Sequence, residues 1–295
     1  MNTRSSNSTT KLSSNLLKGL YGLMASIMLA VSLFPLRAEA MLVPLETCAQ
    51  KTTIAHRGKW DATHTENTLR AYQYAVESGL GIVELDTQIT RDGQWVMMHD
   101  WRISRTTDKW GYVKKRTLSY IKSARTNDGV LGGVPTLQET FAYFQSQPNV
   151  NLLFEVKTKY VSDYKLTELL AMIEQYGLKN RITFELADTS LIDRIYARDP
   201  SYPHSLIVRG AVAPEYVLQH HVSILVIRYN YVTPEIVDTM HANGIKVYAW
   251  TIDTESPWRT SISANVDAII TNRPDTTSFY CANAVKNANP VTPAP

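Results

Sequence analysis

Eight short apolar segments, most of them separated by helical patterns, constrain the fold of this chain more than any other feature. The helical patterns carry apolar residues at three- and four-residue spacing, as in YKLTELLAMIEQYG. Strands that alternate with helices form a parallel sheet, because each helix returns the chain to the same edge. The predicted strands are 52–56, 82–86, 151–156, 181–185, 204–208, 223–227, 245–250 and 267–271.

A closed (β/α)8 barrel, the TIM-barrel fold with a small insertion after the second strand, accounts for this order. The Asp92-Gly93 pair predicts a tight turn, so residues 94–99 should run antiparallel to the second strand and lie outside the parallel set. Removing a predicted 40-residue leader from 295 residues leaves 255, about the size of one such barrel. A doubly wound open sheet is the alternative, although no glycine-rich nucleotide fingerprint follows the first strand.

Residues 1–40 are predicted to be a secretory signal peptide. Three basic residues, Arg4, Lys11 and Lys18, precede an apolar stretch at 20–36 and a small-residue ending at 38–40. Cleavage after this ending predicts an exported protein, periplasmic or secreted, without stable membrane insertion. An uncleaved membrane anchor is the alternative.

The remaining chain is predicted to contain one domain at 41–281, with an insertion at about 101–135 and a disordered tail at 282–295. It contains two cysteines, Cys48 and Cys281. In an exported protein they predict a disulfide that joins the two ends of the domain. Two free buried thiols are the alternative.

The charge balance does not indicate a nucleic-acid partner. The whole chain has 30 Lys and Arg against 27 Asp and Glu, but the leader holds four of the basic residues and one of the acidic ones. The balance after cleavage is therefore 30 − 4 = 26 against 27 − 1 = 26. No basic stripe with interleaved aromatic residues is identified in the sequence.

Two carboxylates, Glu84 and Asp86, interrupt the apolar strand IVELDTQIT. Side chains two residues apart on a strand share one face, so these carboxylates point the same way. Two negative charges beside buried apolar residues are costly unless a cation joins them, and a hard divalent cation, Mg²⁺ or Ca²⁺, suits oxygen ligands best. A solvated strand face is the alternative.

Two histidines end neighbouring segments of this region. His56 closes the first strand, and His99 ends the run that folds back after the predicted turn. The fold-back should return His99 to the level of Glu84 and Asp86, beside Arg57. Imidazoles titrate near neutral pH, so this arrangement indicates acid–base catalysis.

A second carboxylate-containing motif, Glu155-Val156-Lys157, ends the strand at 151–156. Its charged residues also share a strand face. In the functional interpretation Glu155 is a third oxygen ligand, and Lys157 is a second cationic group beside Arg57. A structural ion pair between strands is the alternative.

All these motifs fall at the carboxyl ends of predicted strands. In a TIM barrel these ends form one rim, and functional groups sit there. Trp250 and residues 271–273 also lie at strand ends. The strand pattern and the side-chain chemistry therefore point to the same rim.

The motifs HRG, ENT, ExD, DG followed by an aliphatic run into HD, and ExK resemble in order and spacing those of the glycerophosphodiester phosphodiesterases, over residues 56–274. The resemblance implies a TIM-barrel hydrolase that cleaves small-molecule glycerophosphodiesters, such as deacylated phospholipids, to sn-glycerol 3-phosphate and an alcohol. The residues and the resemblance together predict catalysis by His56 and His99, and one divalent cation (Ca²⁺ or Mg²⁺) at Glu84, Asp86 and Glu155. They also predict phosphate binding by Arg57 and Lys157. The resemblance alone implies substrate binding by Trp250 and Glu66.

The ENT motif allows two interpretations: Glu66 lies near the site, or the motif is only a helix start. The family commonly has proline where this chain has Thr65, and Thr65 is predicted to cap the first helix. The insertion serves in the family as a cap that helps to select the leaving group. Trp101, Trp110 and Tyr112 are predicted either to provide apolar contacts there or to form a small satellite core.

Two other functions remain alternatives. An enzyme resembling phospholipase D or the phosphoinositide lipases, acting on intact lipid, predicts an exposed apolar rim in residues 101–135. A non-catalytic barrel that binds a ligand predicts the loss of a catalytic residue, whereas every motif residue is present.

Overall fold

The barrel predicted from the sequence is confirmed in the computed structural model, which describes residues 52–158, 160–275 and 280–281. The predicted signal peptide, the tail and Cys48 lie outside the described residues, and so does any disulfide pairing of Cys48. The strands are β1 Thr52–Ala55, β2 Ile82–Ile89, β3 Trp95–Met97, β4 Asn151–Val156, β5 Ile182–Leu186, β6 His204–Val208, β7 Ile224–Arg228, β8 Lys246–Trp250 and β9 Ala268–Thr271.

The sheet closes on itself. Eight parallel strands follow the order β1, β2, β4, β5, β6, β7, β8, β9, and β9 pairs with β1 again. Strand β3 pairs antiparallel with β2, with Thr87 opposite Met97, as the Asp92-Gly93 turn predicted. Because β3 lies outside the parallel set, it brings the His99 segment back towards the rim.

The connections are helical. The helices are α1 Leu69–Glu77, α2 Leu118–Lys122, α3 Leu137–Gln145, α4 Asp163–Gln175, α5 Thr189–Tyr196, α6 Pro214–Leu218, α7 Pro234–Ala242 and α8 Glu255–Ser263. Short 3₁₀ turns occur at Ile103–Arg105, Val113–Lys115, Lys179–Arg181 and Tyr229–Tyr231. No helix in the described ranges is long and apolar enough to cross a membrane.

Helix α1 begins later than the sequence predicted. Its N-cap is Thr68, whose hydroxyl accepts a hydrogen bond from the backbone N–H of Ala71 at 3.2 Å. The prediction of Thr65 as the cap was wrong. The backbone carbonyl of Thr65 instead accepts a hydrogen bond from the Thr68 hydroxyl. Both threonines are suitable N-cap residues, and tertiary contacts select Thr68.

Apolar side chains fill the barrel on both sides of the sheet. Inside, Leu153, Val226 and Ile270 belong to one buried cluster. Outside, the strands pack against the helices through large aromatic residues, including Phe154 between Phe141 and Phe184. Since side chains alternate along β4, Glu155 shares the inward face with Leu153 and not with Phe154.

The insertion after β3 has a small core of its own. Its buried members are aliphatic or Met side chains, namely Val96, Met98, Ile103, Val113, Ile121 and Val134. Trp101 and Trp110 are 68% and 73% exposed and take no part in it. A satellite core therefore exists, but the predicted aromatic residues do not form it.

Gly58 of the HRG motif fixes the approach of β1 to α1, and its replacement should reveal this. Gly58 has φ +82°, and a Cβ there would lie 2.8 Å from the backbone C and O of Ala71. Gly79 has φ +80° with open space around it. Gly79→Ala is expected to cost about 1–2 kcal/mol of unfolding free energy through φ alone. Gly58→Ala should cost roughly 1–3 kcal/mol more through overpacking. Equal midpoints in urea unfolding would contradict this close-approach account.

Candidate active site

His56 sits just beyond the end of β1, and its ring is held in one orientation. Its Nδ1 lies 2.5 Å from Asn272 Oδ1. Asn272 Nδ2 donates to Asp253 at 2.7 Å, so the amide oxygen faces the histidine and accepts from Nδ1–H. Burial, helped by the adjacent Arg57 charge, lowers the pKa of His56 to about 4. The ring is therefore neutral near pH 7, with an unprotonated Nε2.

Three buried carboxylates, Glu84, Asp86 and Glu155, form the centre of the site. One oxygen from each lies within 4.8 Å of the others. The register explains this, because Asp86 on β2 pairs directly with Glu155 on β4. This all-oxygen donor set fits a hard divalent cation such as Mg²⁺ or Ca²⁺. The three carboxylates predicted as ligands are thus brought together by the fold.

The carboxylates differ in electrostatic environment. Burial, with the nearby charges of Asp86 and Glu185, raises the pKa of Glu84 well above its usual value. Burial also raises the pKa of Glu155 to about 7. Burial opposes ionisation of Asp86 too, but Lys157 and Arg57 outweigh it and hold the pKa of Asp86 well below its usual range. A bound cation would favour the ionised form of all three.

Arg57 and Lys157 are tied to this cluster. Arg57 Nε lies 3.2 Å from Asp86 Oδ2, and its backbone N–H donates to Glu84 Oε2 at 2.7 Å. Lys157 Nζ lies 2.5 Å from Glu155 Oε2 and 3.2 Å from Asp86 Oδ1. Arg57 has φ +59°, a strained conformation that aims its amide at Glu84. The Glu155–Lys157 ion pair exists, and it forms part of the site.

Asn67 of the ENT motif positions Asp86, a role that sequence reasoning missed. Asn67 Nδ2 donates to Asp86 Oδ2 at 2.7 Å, and the backbone N–H of Asp86 donates to Asn67 Oδ1 at 3.1 Å. The Tyr72 hydroxyl donates to the same amide oxygen at 2.9 Å. The ENT motif was interpreted as a helix start with one acid, which hid the function of its asparagine.

A hydrogen bond to Asp100 and the ion pairs of Arg105 connect His99 to Glu66, and Arg105 was not predicted from the sequence. His99 Nδ1 lies 2.7 Å from Asp100 Oδ1, and Arg105 Nε donates to Asp100 Oδ2 at 2.5 Å. The other two nitrogens of Arg105 donate to Glu66 at 2.6 and 2.7 Å. Arg105 lies in the insertion, so no local pattern marked it. The insertion thereby helps to hold His99 in position.

Glu66 also binds Arg57, through Nη1 at 2.9 Å. Burial opposes its ionisation, yet Arg105 and Arg57 lower the pKa of Glu66 below its usual value. Both of its oxygens are occupied by arginines. The structure thus makes Glu66 an anchor for two cations, and its role in substrate binding stays a prediction.

Removing the Arg105 brace should reduce catalysis without unfolding the protein. Arg105→Leu is expected to lower kcat by about 10–100-fold, the range for lost outer-shell partners. The expected cause is that Asp100 and Glu66 lose their shared cation. Arg91→Leu, at an exposed arginine of the β2–β3 turn, is the matched control. A kcat for Arg105→Leu within twofold of the control would contradict a bracing role.

These groups open into one cavity. His56, His99 and the site carboxylates Glu84 and Glu155 line it together with Arg57 and Lys157. The apolar part of the lining consists of Ile207, Trp250 and Ile270, and Arg209 lies at its exposed edge. The two imidazoles therefore face the same space as the carboxylates, as the sequence predicted. Trp250 lies where a substrate backbone could contact it.

Glu185 is a further carboxylate in this cavity that sequence reasoning missed. It pairs with Glu155 in the register of β4 and β5 and is buried. Among the described residues its Oε1 finds no hydrogen-bond partner. Burial, together with the Glu155 charge, raises the pKa of Glu185 well above its usual value. A lone acid in the apolar run ITFEL was the available signal.

Comparison with known proteins agrees with this geometry. Residues 56–276 match the glycerophosphoryl diester phosphodiesterase family. A glycerophosphodiester phosphodiesterase of Caldanaerobacter subterraneus is 32% identical over 235 residues, which cover 76% of this chain and 94% of the relative.

Two solved structures share the fold. A putative glycerophosphodiester phosphodiesterase from Galdieria sulphuraria has a TM-score of 0.72 at 22% identity and covers 79% of this chain and 98% of its own. A phosphodiesterase from Oleispira antarctica, in complex with the product sn-glycerol-3-phosphate, has a TM-score of 0.70 at 25% identity, with coverage of 79% and 98%.

Proposed function

This chain belongs to the glycerophosphoryl diester phosphodiesterase family, and we propose that it hydrolyses glycerophosphodiesters to sn-glycerol 3-phosphate and an alcohol. One observation carries the proposal: two imidazoles, two members of the carboxylate cluster and two cationic side chains line a single cavity. The product bound to the Oleispira antarctica relative supports the same substrate class.

Charge determines which groups act on the phosphate. Attack at phosphorus builds negative charge on the phosphate oxygens, which positive groups must stabilise. Arg57 and Lys157 lie at the cavity wall, where each can donate to a phosphate oxygen. A divalent cation, Ca²⁺ or Mg²⁺, held by Glu84, Asp86 and Glu155, would add Lewis-acid stabilisation of the same charge.

The two histidines have different partners, and this difference supports different proposed roles. His56 donates to the neutral amide of Asn272, which favours an imidazolium less than a carboxylate would, and burial lowers its pKa to about 4, so His56 is the proposed base at Nε2. His99 donates to the Asp100 carboxylate, which favours a protonated ring, although burial lowers the pKa of His99 below its usual value. His99 is therefore the proposed acid, which protonates the departing alcohol oxygen. The attacking oxygen comes from water or from the glycerol hydroxyl, the latter giving a cyclic phosphate first.

Export completes the proposal. Residues 1–40 would direct the chain out of the cytoplasm, and a Cys48–Cys281 disulfide would then join the ends of the domain. N-terminal sequencing of the exported protein should begin at Met41. A retained leader would contradict cleavage.

The function is tested with glycerophosphocholine as substrate and the purified protein. We expect release of choline and sn-glycerol 3-phosphate, complete loss of turnover in excess chelator, and recovery when Mg²⁺ or Ca²⁺ is added back. Full turnover in chelator would reject the cation site. No turnover with either ion, on any of several glycerophosphodiesters, would reject the proposed function.

A further inference from the structure

The insertion concentrates positive charge that the overall balance conceals. Residues 101–125 contain eight Lys and Arg but a single acid, Asp108, a net charge of 8 − 1 = +7. The whole 295-residue chain carries only +3, so the rest of it sums to 3 − 7 = −4. The balance of the whole chain hides this basic segment, which is why it was not predicted from the sequence.

Large aromatic side chains are exposed in the same segment. Trp101 and Trp110 are among the most exposed large apolar residues of the described chain, and Tyr112 is also exposed. The backbone brings them together, because the N–H of Val113 donates to the carbonyl of Trp101 at 2.9 Å and residues 102 and 112 bridge antiparallel. The backbone segments that carry Trp101 and Tyr112 are therefore paired, and Trp110 precedes Tyr112 by two residues.

Basic side chains lie close to two of these rings, Tyr112 and Trp110. The Arg102 guanidinium lies 5.0 Å from the Tyr112 ring and donates to its hydroxyl at 2.9 Å. Lys115 Nζ lies 5.9 Å from the same ring. The Arg116 guanidinium lies 5.1 Å from the Trp110 ring. We name this surface the cap face and define it by Trp101, Arg102, Trp110, Tyr112, Lys114 and Lys115, all of them exposed.

We propose that the cap face docks on the surface of a phospholipid bilayer that contains anionic lipids. Exposed indoles and tyrosine rings prefer the headgroup region, where their apolar part leaves water and their polar edge stays wet. Lysines and arginines beside them bind anionic headgroups. A single-stranded nucleic acid would instead need a groove that tracks its backbone, and the cap face is built of outward side chains.

The cap face lies close to the catalytic groups in the chain. Trp101 directly follows the His99-Asp100 pair. Arg105, in the same segment, binds Asp100 and Glu66. The cap face therefore adjoins the rim that carries the catalytic histidine. Docking would place the cavity beside the membrane, where phospholipid-derived diesters arise.

The proposal is tested by co-sedimentation of the purified protein with vesicles. Vesicles of phosphatidylglycerol and phosphatidylcholine in equal parts are compared with vesicles of phosphatidylcholine alone. We expect binding to the anionic vesicles only, weakening as salt increases. Lys114→Glu/Lys115→Glu and Trp101→Ser/Trp110→Ser should each weaken binding by about tenfold or more. Lys246→Glu, at the start of β8 and so at the opposite end of the barrel, should bind as the wild type does.

Three results would overturn the proposal. The wild type fails to bind anionic vesicles, the cap-face variants bind as tightly as Lys246→Glu, or a single-stranded oligonucleotide competes the protein off the vesicles at equal phosphate concentration. Thermal unfolding midpoints equal to that of the wild type show that the variants fold. Soluble glycerophosphocholine turnover should be unchanged in Lys114→Glu/Lys115→Glu. Because vesicle binding involves no turnover, its outcome is independent of the proposed hydrolase function.

Discussion

Asp86→Asn is expected to reduce glycerophosphocholine turnover by about 10³-fold or more. Asp86 is a member of the carboxylate cluster and also binds Arg57, Lys157 and Asn67. An amide keeps the shape of the side chain but is a weaker ligand for a hard cation and cannot balance two positive side chains. Turnover is measured across a wide range of Mg²⁺ and Ca²⁺ concentrations.

The matched control is Asp238→Asn, which removes an exposed carboxylate on α7. Its turnover should equal that of the wild type. If Asp86→Asn retained more than a tenth of wild-type turnover at ordinary cation concentrations, the cluster would not be the catalytic centre. Thermal unfolding of both variants separates loss of function from loss of fold.

His56→Gln and His99→Gln are expected to lower turnover by about 10²–10⁴-fold on a choline leaving group, the range for general acid–base catalysis. The two losses should diverge when the leaving group is p-nitrophenol. This alcohol is acidic and departs without a proton, so His99→Gln should recover most of its activity. His56→Gln should remain impaired, because attack still requires a base.

The comparison of the two leaving groups distinguishes the acid from the base. The control is His220→Gln, at a histidine just past α6, and its turnover on both substrates should equal that of the wild type. Recovery by His56→Gln instead of His99→Gln would reverse the assignment. Equal losses on both leaving groups for both variants would remove the acid–base account altogether.

Much of the fold could be predicted because its signals are local. Alternating strands and helices indicate a parallel barrel, and the Asp92-Gly93 turn correctly removed β3 from the parallel set. The two-residue spacing of Glu84 and Asp86 fixed their common face before their partners were known. The start of α1 could not be predicted, because Thr65 and Thr68 are both suitable caps and only three-dimensional contacts select one.

The supporting groups of the site could not be predicted for a related reason. Asn272 orients His56 from 216 positions away, and Arg105 reaches Glu66 across 39. Such pairs leave no periodic trace in a single sequence. Glu185 had a visible signal, but a lone acid in an apolar run was given less weight than the paired motifs. Tertiary contact, not propensity, determines these positions.

The most direct test of the account is a crystal structure with Mn²⁺, located by its anomalous signal, and sn-glycerol 3-phosphate. The account predicts one ion within about 2.0–2.6 Å of oxygens from Glu84, Asp86 and Glu155. It also predicts the phosphate between that ion and the side chains of Arg57 and Lys157, with both histidines facing it. An ion bound elsewhere, or a phosphate outside the cavity, would contradict the account.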